Sequence, residues 1–590
     1  MYLGVEQSIS NRRWLGPALA IERDALTLHQ QSDLPLPLCY VMARLGVAPA
    51  EVADFLNPTL RASMSDPLSV KDCATAAEIL LTAIQNQQKI AIFADYDVDG
   101  GTSAALLIDF LHQFAIQPTL YVPDRITEGY GPNPKAMATL AESHDLIICM
   151  DCGTLAYEAL EAARAADVVV LDHHLGAETL PEARAVVNPN RQDETGDLAH
   201  LCAAAVVFMV LTQVARMMRA NGQTPPNLIN SLDLVALATV ADVAPLIGVN
   251  RAFVRQGLKV MGQRKRVGLN ALSDAAGLNA APSAYHLGYV LGPRINAGGR
   301  IGKADLGARL LACSNPHEAA VMAEKLEELN TERRSVEAMV RLAALEQAEA
   351  RGLDLPLAWA AEEGWHPGVV GIVAARLKEK TNRPAVVIGF DGDSGKGSGR
   401  SVSGIDLGAA IHKLAREGLI TSGGGHKMAA GLSLTRAQLE PAMERLGQLL
   451  DAQGAGALGP ADLKIDGTLM PGGATVELIE QLEQAGPFGA GASAPRFAFP
   501  DCTIAFAKPV GESHLKITLS DGFGTKLDAI CFGAFDGPLG PALTAAQGGK
   551  MHIAGRLEIN TWGGAHVHNC ASKTPAPPNT LPKLGTQKHR

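Results

Sequence analysis

Three aspartates, Asp95, Asp97 and Asp99, alternate with Tyr96 and Val98 directly after the apolar run "KIAIFA", and Gly100-Gly101 follow them. Two more apolar runs end in the same way: "DLIICM" leads into Asp151, and "DVVVL" leads into Asp172, His173 and His174. A fourth segment, "LVALATVADVAPL", carries Asp242 in a helix-like apolar stretch where a charge is out of place. Each acid alone fits a helix cap or a surface position. Gathered in one crevice, several carboxylates repel one another unless cations neutralise them. Many oxygens with one or two imidazoles suit Mg2+ or Mn2+, and the imidazole tilts the choice towards Mn2+. Two such ions, about 3.5–4 Å apart, activate a water and clamp a phosphoryl group for in-line attack. The stretch also reads D-x-D-x-D-G. An EF-hand, however, needs Glu at its twelfth position, where Leu106 stands, and a helix rather than a strand before it.

The elements that must position these residues follow from hydrophobic periodicity. From about 71 to 250, fully apolar runs alternate with helix-like segments such as "TSAALLIDFLHQF" and "LAYEALEAARAA". That pattern predicts a parallel sheet covered on both faces, in an α/β fold. Ligands of such sheets bind beyond the strand carboxyl ends. Alternation on an extended segment points Asp95, Asp97 and Asp99 to one side, and a helix start at Gly101-Thr102-Ser103 adds backbone donors. Residues 1–70 read as a proline-punctuated helical segment and 71–313 as the first α/β domain. Residues 314–352 form one long charged helix, with Pro316 near its start. A smaller αβ domain with glycine-rich loops spans 353–458. Short strands and turns over 461–572 predict a small antiparallel barrel. The proline-rich basic tail, 573–590, lacks the apolar residues of a core and is expected to be disordered.

Bulk composition bounds the function. A 590-residue chain, 47% hydrophobic and 19% charged, holds roughly three or four domains. A net charge of −10 excludes generic polyanion binding by overall charge, so any nucleic acid must be held by a local groove or by metal ions. Aromatics make up only 4%, which argues against long runs of base-stacking platforms. The nine cysteines lack a framework spacing, and Cys149 and Cys152 flank Asp151 without a second pair, so they read as buried thiols in a cytoplasmic protein. The N-terminus lacks the apolar core of a signal peptide. The run "LCAAAVVFMVL" is too short to span a bilayer, so no membrane association is expected.

The ordered set of "ADYDVDG", Asp151, "LDHHL" and Asp242 resembles the DHH phosphoesterase superfamily, and "TSGGGHKMAAG" (421–431) resembles the GGGH signature of the DHHA1 domain. More narrowly, "GWHPGVVGIVAARL" (364–377), "GPRINAGGRIG" (292–302), "GSGRSV" (397–402) and "GPFGAG" (486–491) resemble the RecJ family of bacterial single-stranded-DNA-specific exonucleases. The resemblance runs from "FLNP" to the barrel. It implies a DHH catalytic domain, a linker helix, a DHHA1 substrate-binding domain and an OB-like barrel. It also implies a monomeric 5′→3′ exonuclease of DNA repair and recombination, which releases 5′-mononucleotides with two divalent cations, Mn2+ or Mg2+. Single-strand-binding protein and a RecQ-type helicase are the implied companions. On this resemblance Asp97, Asp99, Asp151, His173 and Asp242 are metal ligands, Asp151 bridges the ions, and Asp95 ligates or orients. Asp172 fixes an imidazole, and His174 faces the scissile phosphate.

In the DHHA1 part, Ser398, Arg400 and either Arg294 or Arg300 are expected to hold the 5′ phosphate from glycine-rich loops. His426, with Gly424 and Gly425, is expected at the phosphate nearest the metals. Trp365-His366-Pro367 is either a DNA-stacking loop or part of the domain core. On the barrel, Lys508, Lys516, Lys526 and Arg556 suit a strand-binding groove, with Trp562 as a platform. After "GPFGAG" the family pattern calls for Asn-Pro-like residues, and Ala492-Ser493-Ala494-Pro495 stand there instead. Two other readings compete. One is a DHH-type phosphodiesterase for short oligonucleotides or cyclic dinucleotides, or a manganese pyrophosphatase. The other is a catalytically silent DNA-binding replication partner.

Overall fold

The computed structural model describes residues 1–125, 127–560 and 567–576, which divide into two units. The larger unit, residues 59–457 with 489–491, carries all the residues of the acidic set. Its first sheet comprises β1 (Ile90–Ala94), β2 (Thr119–Tyr121), β3 (Leu146–Met150), β4 (Asp167–Leu171) and β5 (Ala185–Val187). All pairings are parallel and the order is β2-β1-β3-β4-β5. β1 and β3 are buried at every position, because helices cover both faces.

The covering helices in chain order are α1 (Cys73–Gln85), α2 (Val98–His112), α3 (Pro134–Ala141), α4 (Tyr157–Ala162) and α5 (Ala203–Ala220). α3 and α4 share a core with Ala91, Phe93, Ile147, Cys149, Val168, Val170 and Val186. α1, α2 and α5 pack on β5, β1 and β4. α6 (Leu232–Ala241) packs against α2 and α5. α5 has 18 residues, long and apolar enough to cross a membrane. It is therefore not shortness that makes it a core helix: 67% of it is buried inside the protein.

α7 (Gly292–Ile301) packs on α8 (Pro316–Arg351), a 36-residue helix about 54 Å long that leads into the second sheet. This sheet contains β6 (Ala358–Glu363), β7 (Ala385–Asp391), β8 (Ser394–Arg400), β9 (Ser422–His426) and β10 (Ala429–Thr435), in the order β9-β10-β8-β7-β6. Only β6 and β7 run parallel; the others pair antiparallel. α9 (Pro367–Thr381) packs on β7 and β8. The glycine-rich segments "SGKGSGR" and "SGGGH" are thus strands rather than loops. Ladder hydrogen bonds override their low strand propensity, and the absence of side chains lets neighbours approach.

The other unit comprises residues 1–58, 458–488 and the chain from 492 on. Its strands form a ring: Phe497–Val510 pairs with His514–Ser520, which pairs with Lys526–Cys531, then Val567–Ala576, then Lys550–Asn560, which pairs back to Phe497–Val510. The strand Val567–Ala576 includes 573–576, the first residues assigned by sequence to the tail. The N-terminal segment is not wholly helical. Its strand Arg12–Leu15 pairs parallel with Ala461–Lys464, and Trp14, fully buried, packs on Leu463, Ile465, Ala498 and Ala554. Four residues are too few to show a strand period. Burying a side chain of this size contributes about 3 kcal/mol. Ser493 in the divergent loop accepts from Arg44 through both its hydroxyl and its carbonyl, each at 2.8 Å.

Candidate active site

The carboxyl ends of β1, β3 and β4 deliver the acids as expected, but not by alternation along a strand. β1 stops at Ala94. Asp97 caps α2, accepting from the backbone N–H of Asp99 (2.9 Å) and Gly100 (3.2 Å), and Asp99 lies in the first helical turn. A Cβ on Gly100 would stand 2.4 Å from the Asp95 carbonyl oxygen, so only glycine permits this tight strand-to-helix turn. The Gly101 N–H is bonded to Asp97 O inside the helix and offers nothing to an anion. Asp99 is buried and receives the N-terminus of α5, from Ala203 N–H at 2.6 Å and Ala204 N–H at 2.8 Å.

Asp151 follows β3 with φ of 59°, a left-handed backbone that a non-glycine residue holds only at a cost of about 1–3 kcal/mol. Its N–H bonds Leu171 O at 3.0 Å, and the Tyr130 hydroxyl donates to its carbonyl at 2.9 Å. Asp242 terminates α6. The backbone thus brings six side chains into two ligand sets: Asp95, Asp97 and Asp151, and Asp99, His173 and Asp242, with oxygens and nitrogens of each set within 4.8 Å of one another. A third such set joins Asp151 to both histidines. His173 Nε2 lies 3.2 Å from Asp151 Oδ1 and 3.7 Å from both Asp99 and Asp242, so Asp151 and His173 connect the two main sets.

Burial and mutual repulsion push Asp95 and Asp151 well above the ordinary carboxylate range. Burial raises Asp99, and burial with the Asp99 and Asp97 charges pushes Asp242 to about 8. Asp95 Oδ1 and Asp151 Oδ1 are buried without a hydrogen-bond donor; the His173 nitrogen near Asp151 is outside bonding geometry. Five carboxylates with two orphaned oxygens fit a pair of divalent cations, whose four positive charges offset nearly all of the negative charge. The Cys149 and Cys152 thiols are buried, which pushes both up and keeps them protonated, and neither belongs to the ligand sets.

Asp172 is not among these ligand sets. Its Oδ1 accepts from His174 Nδ1 at 2.8 Å and from the His173 N–H at 2.8 Å, and its Oδ2 accepts from the Thr154 N–H at 3.0 Å. The imidazole it fixes is that of His174. Despite burial, the Asp172 bond and charge raise His174 to about 9, and Asp172 itself is held well below the carboxylate range. Asn188 Nδ2 donates to Thr154 Oγ1 and to His174 O, and Asn190 Nδ2 to His173 O at 2.7 Å. The Asn-Pro-Asn after β5 therefore locks the His-His backbone. Its position after an apolar run was the only signal of this role in the sequence.

A second charged group adjoins the acids. Arg300 lies on α7, a helix and not a glycine loop, and donates to Gly368 O at 3.0 Å. Arg400 ends β8 and donates to Ser398 Oγ at 3.0 Å. Arg125, unmarked by any sequence motif, lies over the Tyr96 ring at 5.2 Å. Burial and the Arg125 charge depress both Arg300, to about 10, and Arg400. Among the described residues none of the three pairs with a carboxylate. Three cations, none of them in an ion pair among the described residues, thus gather beside the first turn of α9, whose cap His366 accepts from the Gly368 N–H at 3.0 Å.

Arg294 is engaged elsewhere: it pairs with Glu327 on α8 and donates to Val290 O at 2.8 Å. Trp365 is buried in the core with Val369, Val373 and Val387, so this ring packs inside the domain. His426 is exposed at the end of β9, and Gly425 beside it has φ of 150°, where a Cβ would meet Ala429 O at 2.4 Å. On the barrel, Lys508 and Lys516 face each other across two strands, and Lys516 is paired with Asp528 at 2.8 Å. Lys526 and Arg556 are exposed, and Trp562 and the tail from 577 lie outside the described residues.

The chain matches the DHH family, N-terminal domain, over residues 89–239, the DHHA1 domain over 354–452 and the RecJ OB domain over 465–569. It is 36% identical over 519 residues to the single-stranded-DNA-specific exonuclease RecJ of Dickeya dadantii, covering 83% of this chain and 88% of that one. It is also 36% identical over 510 residues to RecJ of Escherichia coli, covering 83% and 87%. The crystal structure of Thermus thermophilus RecJ in complex with Mn2+ superposes with a TM-score of 0.80 at 26% identity, covering 97% of this chain and 80% of that one.

Proposed function

The chain belongs to the RecJ family of single-stranded-DNA-specific exonucleases, and we propose that it hydrolyses single-stranded DNA from the 5′ end, releasing 5′-mononucleotides, with two divalent cations. One observation carries the reading: a buried acidic set with two orphaned oxygens lies beside three arginines that make no ion pair among the described residues. That juxtaposition suits a phosphodiester whose neighbouring terminal phosphate needs a positive seat. In this reading Asp95, Asp97, Asp99, Asp151, His173 and Asp242 hold the cations, with Asp151 shared between them. When bound, Mn2+ or Mg2+ supplies Lewis-acid stabilisation of the phosphoryl oxygens and a nucleophilic water at neutral pH.

The remaining work belongs to the side chains. Arg125, Arg300, Ser398 and Arg400 seat the 5′ phosphate, and guanidiniums suit this because they stay charged and bind oxygens in pairs. Asp172 holds the His174 proton on Nδ1 and fixes the ring, half-exposed towards the cleft, to face the scissile phosphate. His426, presented by Gly424 and Gly425, reaches the same phosphate from the second sheet. The barrel, through Lys508, Lys526 and Arg556, holds the distal strand. The enzyme works as a cytoplasmic monomer in repair and recombination, where single-strand-binding protein and a RecQ-type helicase supply its substrate. The test is digestion of a single strand bearing a label at one end. Mononucleotides appearing first from the 5′ end, and faster with a 5′ phosphate, fit the proposal. Release from the 3′ end, or no preference for the phosphate, contradicts it.

A further inference from the structure

The segment before α7 is one continuous helical run: Ala284–His286, a π-helical turn Leu287–Leu291, then α7. π turns inside helices recur at functional sites. Along the run, Tyr285, Tyr289, Pro293, Asn296 and Arg300 recur at spacings of four, four, three and four residues, so they share one face. At its far end this face meets the active site. Asn296 Oδ1 accepts the Val98 N–H at 3.1 Å, between Asp97 and Asp99, and Arg300 lies in the cationic seat. At its near end stand two large rings left in solvent, Tyr285 at 64% and Tyr289 at 72% exposure. They stack on one another with centroids 5.2 Å apart and planes 24° apart. The run also touches the metal-binding side directly. A Cβ on Gly288 would stand 3.3 Å from Val240, two residues before Asp242.

We infer that Tyr285 and Tyr289 form a base-stacking platform for the single strand, placed along one helix face from the active site. The inference rests on the proposed single-strand activity and adds a subsite to it. Tyrosine rings stack on any base, so the platform is indifferent to sequence, as an exonuclease requires. The pair presents one outer ring face to the strand while the inner faces hold each other flat. From Asn296 back to Tyr289 the helix rises about 10 Å. That is the span of about three stacked nucleotides at roughly 3.4 Å each. The platform therefore serves strands and lies beyond the reach of a dinucleotide.

The test compares kcat/KM on a strand of about twelve nucleotides with kcat/KM on a dinucleotide, in wild type and in the Tyr285→Ala/Tyr289→Ala double variant. The ratio is expected to fall at least about fivefold in the double variant, since losing one base stack weakens binding by roughly 5- to 150-fold. In Tyr285→Phe/Tyr289→Phe it is expected to stay near wild type, because the ring faces remain. Binding of a strand carrying a fluorescent base analogue, measured with EDTA so that no turnover occurs, reports stacking independently: wild type and the Phe pair quench the analogue and the Ala pair does not. A strand-to-dinucleotide ratio within twofold of wild type in the Ala pair overturns the inference while leaving the nuclease reading intact, and so does an equal loss in the Phe pair. A wild-type protein that degrades no long strand overturns both.

Discussion

Gly371→Ala separates the phosphate seat from the stability of the fold. Gly371 lies in α9, and a Cβ there would stand 3.0 Å from Ser398 Oγ and 3.3 Å from Arg400 Nη2. A phosphate oxygen bonded to those two groups must sit about 2.7–2.9 Å from each. A methyl group at 3.0 and 3.3 Å therefore occupies the same space. In a helix interior Ala is favoured over Gly by about 1 kcal/mol. Small shifts of two side-chain ends, not of backbone, relieve the contact, so the melting temperature is expected to hold within a few degrees. Binding of a 5′ phosphate loses one or two charge-assisted hydrogen bonds, about 1.5–3 kcal/mol each. The preference for a 5′-phosphoryl over a 5′-hydroxyl strand, read as a ratio of kcat/KM, should fall by at least about tenfold. An unchanged preference refutes the seat. A loss of preference that merely tracks a collapse in melting temperature refutes the reasoning about Gly371.

Asp151→Asn removes the carboxylate proposed to be shared by the two cations while keeping the shape, and turnover should fall by at least about 10³-fold, with circular dichroism unchanged. Arg300→Ala should abolish the 5′-phosphate preference. Arg294→Ala, which breaks the contact with Glu327, should instead lower stability by about 1–2 kcal/mol and leave the preference in place, as chemical denaturation and the labelled-strand assay will report. In metal-free protein, carboxylates raised in the fold favour the native state while protonated. Their stabilisation is present below the ordinary range near pH 4 and is lost as pH rises towards about 8, the value for Asp242. Melting in EDTA should therefore weaken from pH 5 to pH 8 at this site, and the increase in melting temperature on adding Mn2+ should be larger at pH 8 than at pH 5.

The chemistry was more legible in the sequence than the geometry that delivers it. Apolar runs ending in acids identified the strand ends because the buried parallel sheet leaves the pattern no freedom. The alternation of Asp95, Asp97 and Asp99 gave the right convergence for the wrong reason, since Asp97 and Asp99 belong to a helix start. Glycine-rich stretches misled in the same direction twice: "SGKGSGR" and "SGGGH" are strands whose pairing is tertiary and invisible locally. Arg294 and Arg300 look alike in the sequence, and only the fold shows that Glu327, distant in sequence, pairs with Arg294. Arg125 left no signal at all. An arginine is placed in a cationic cluster by three-dimensional neighbours, not by its own spacing. Trp14 shows the same limit in the core: its strand partners lie about 450 residues away.

The central claim is that two cations share one acidic site, and anomalous scattering from crystals grown with Mn2+ tests it directly. Two peaks are expected, one among Asp95, Asp97 and Asp151 and the other among Asp99, His173 and Asp242. A single peak, or peaks away from these side chains, contradicts the account.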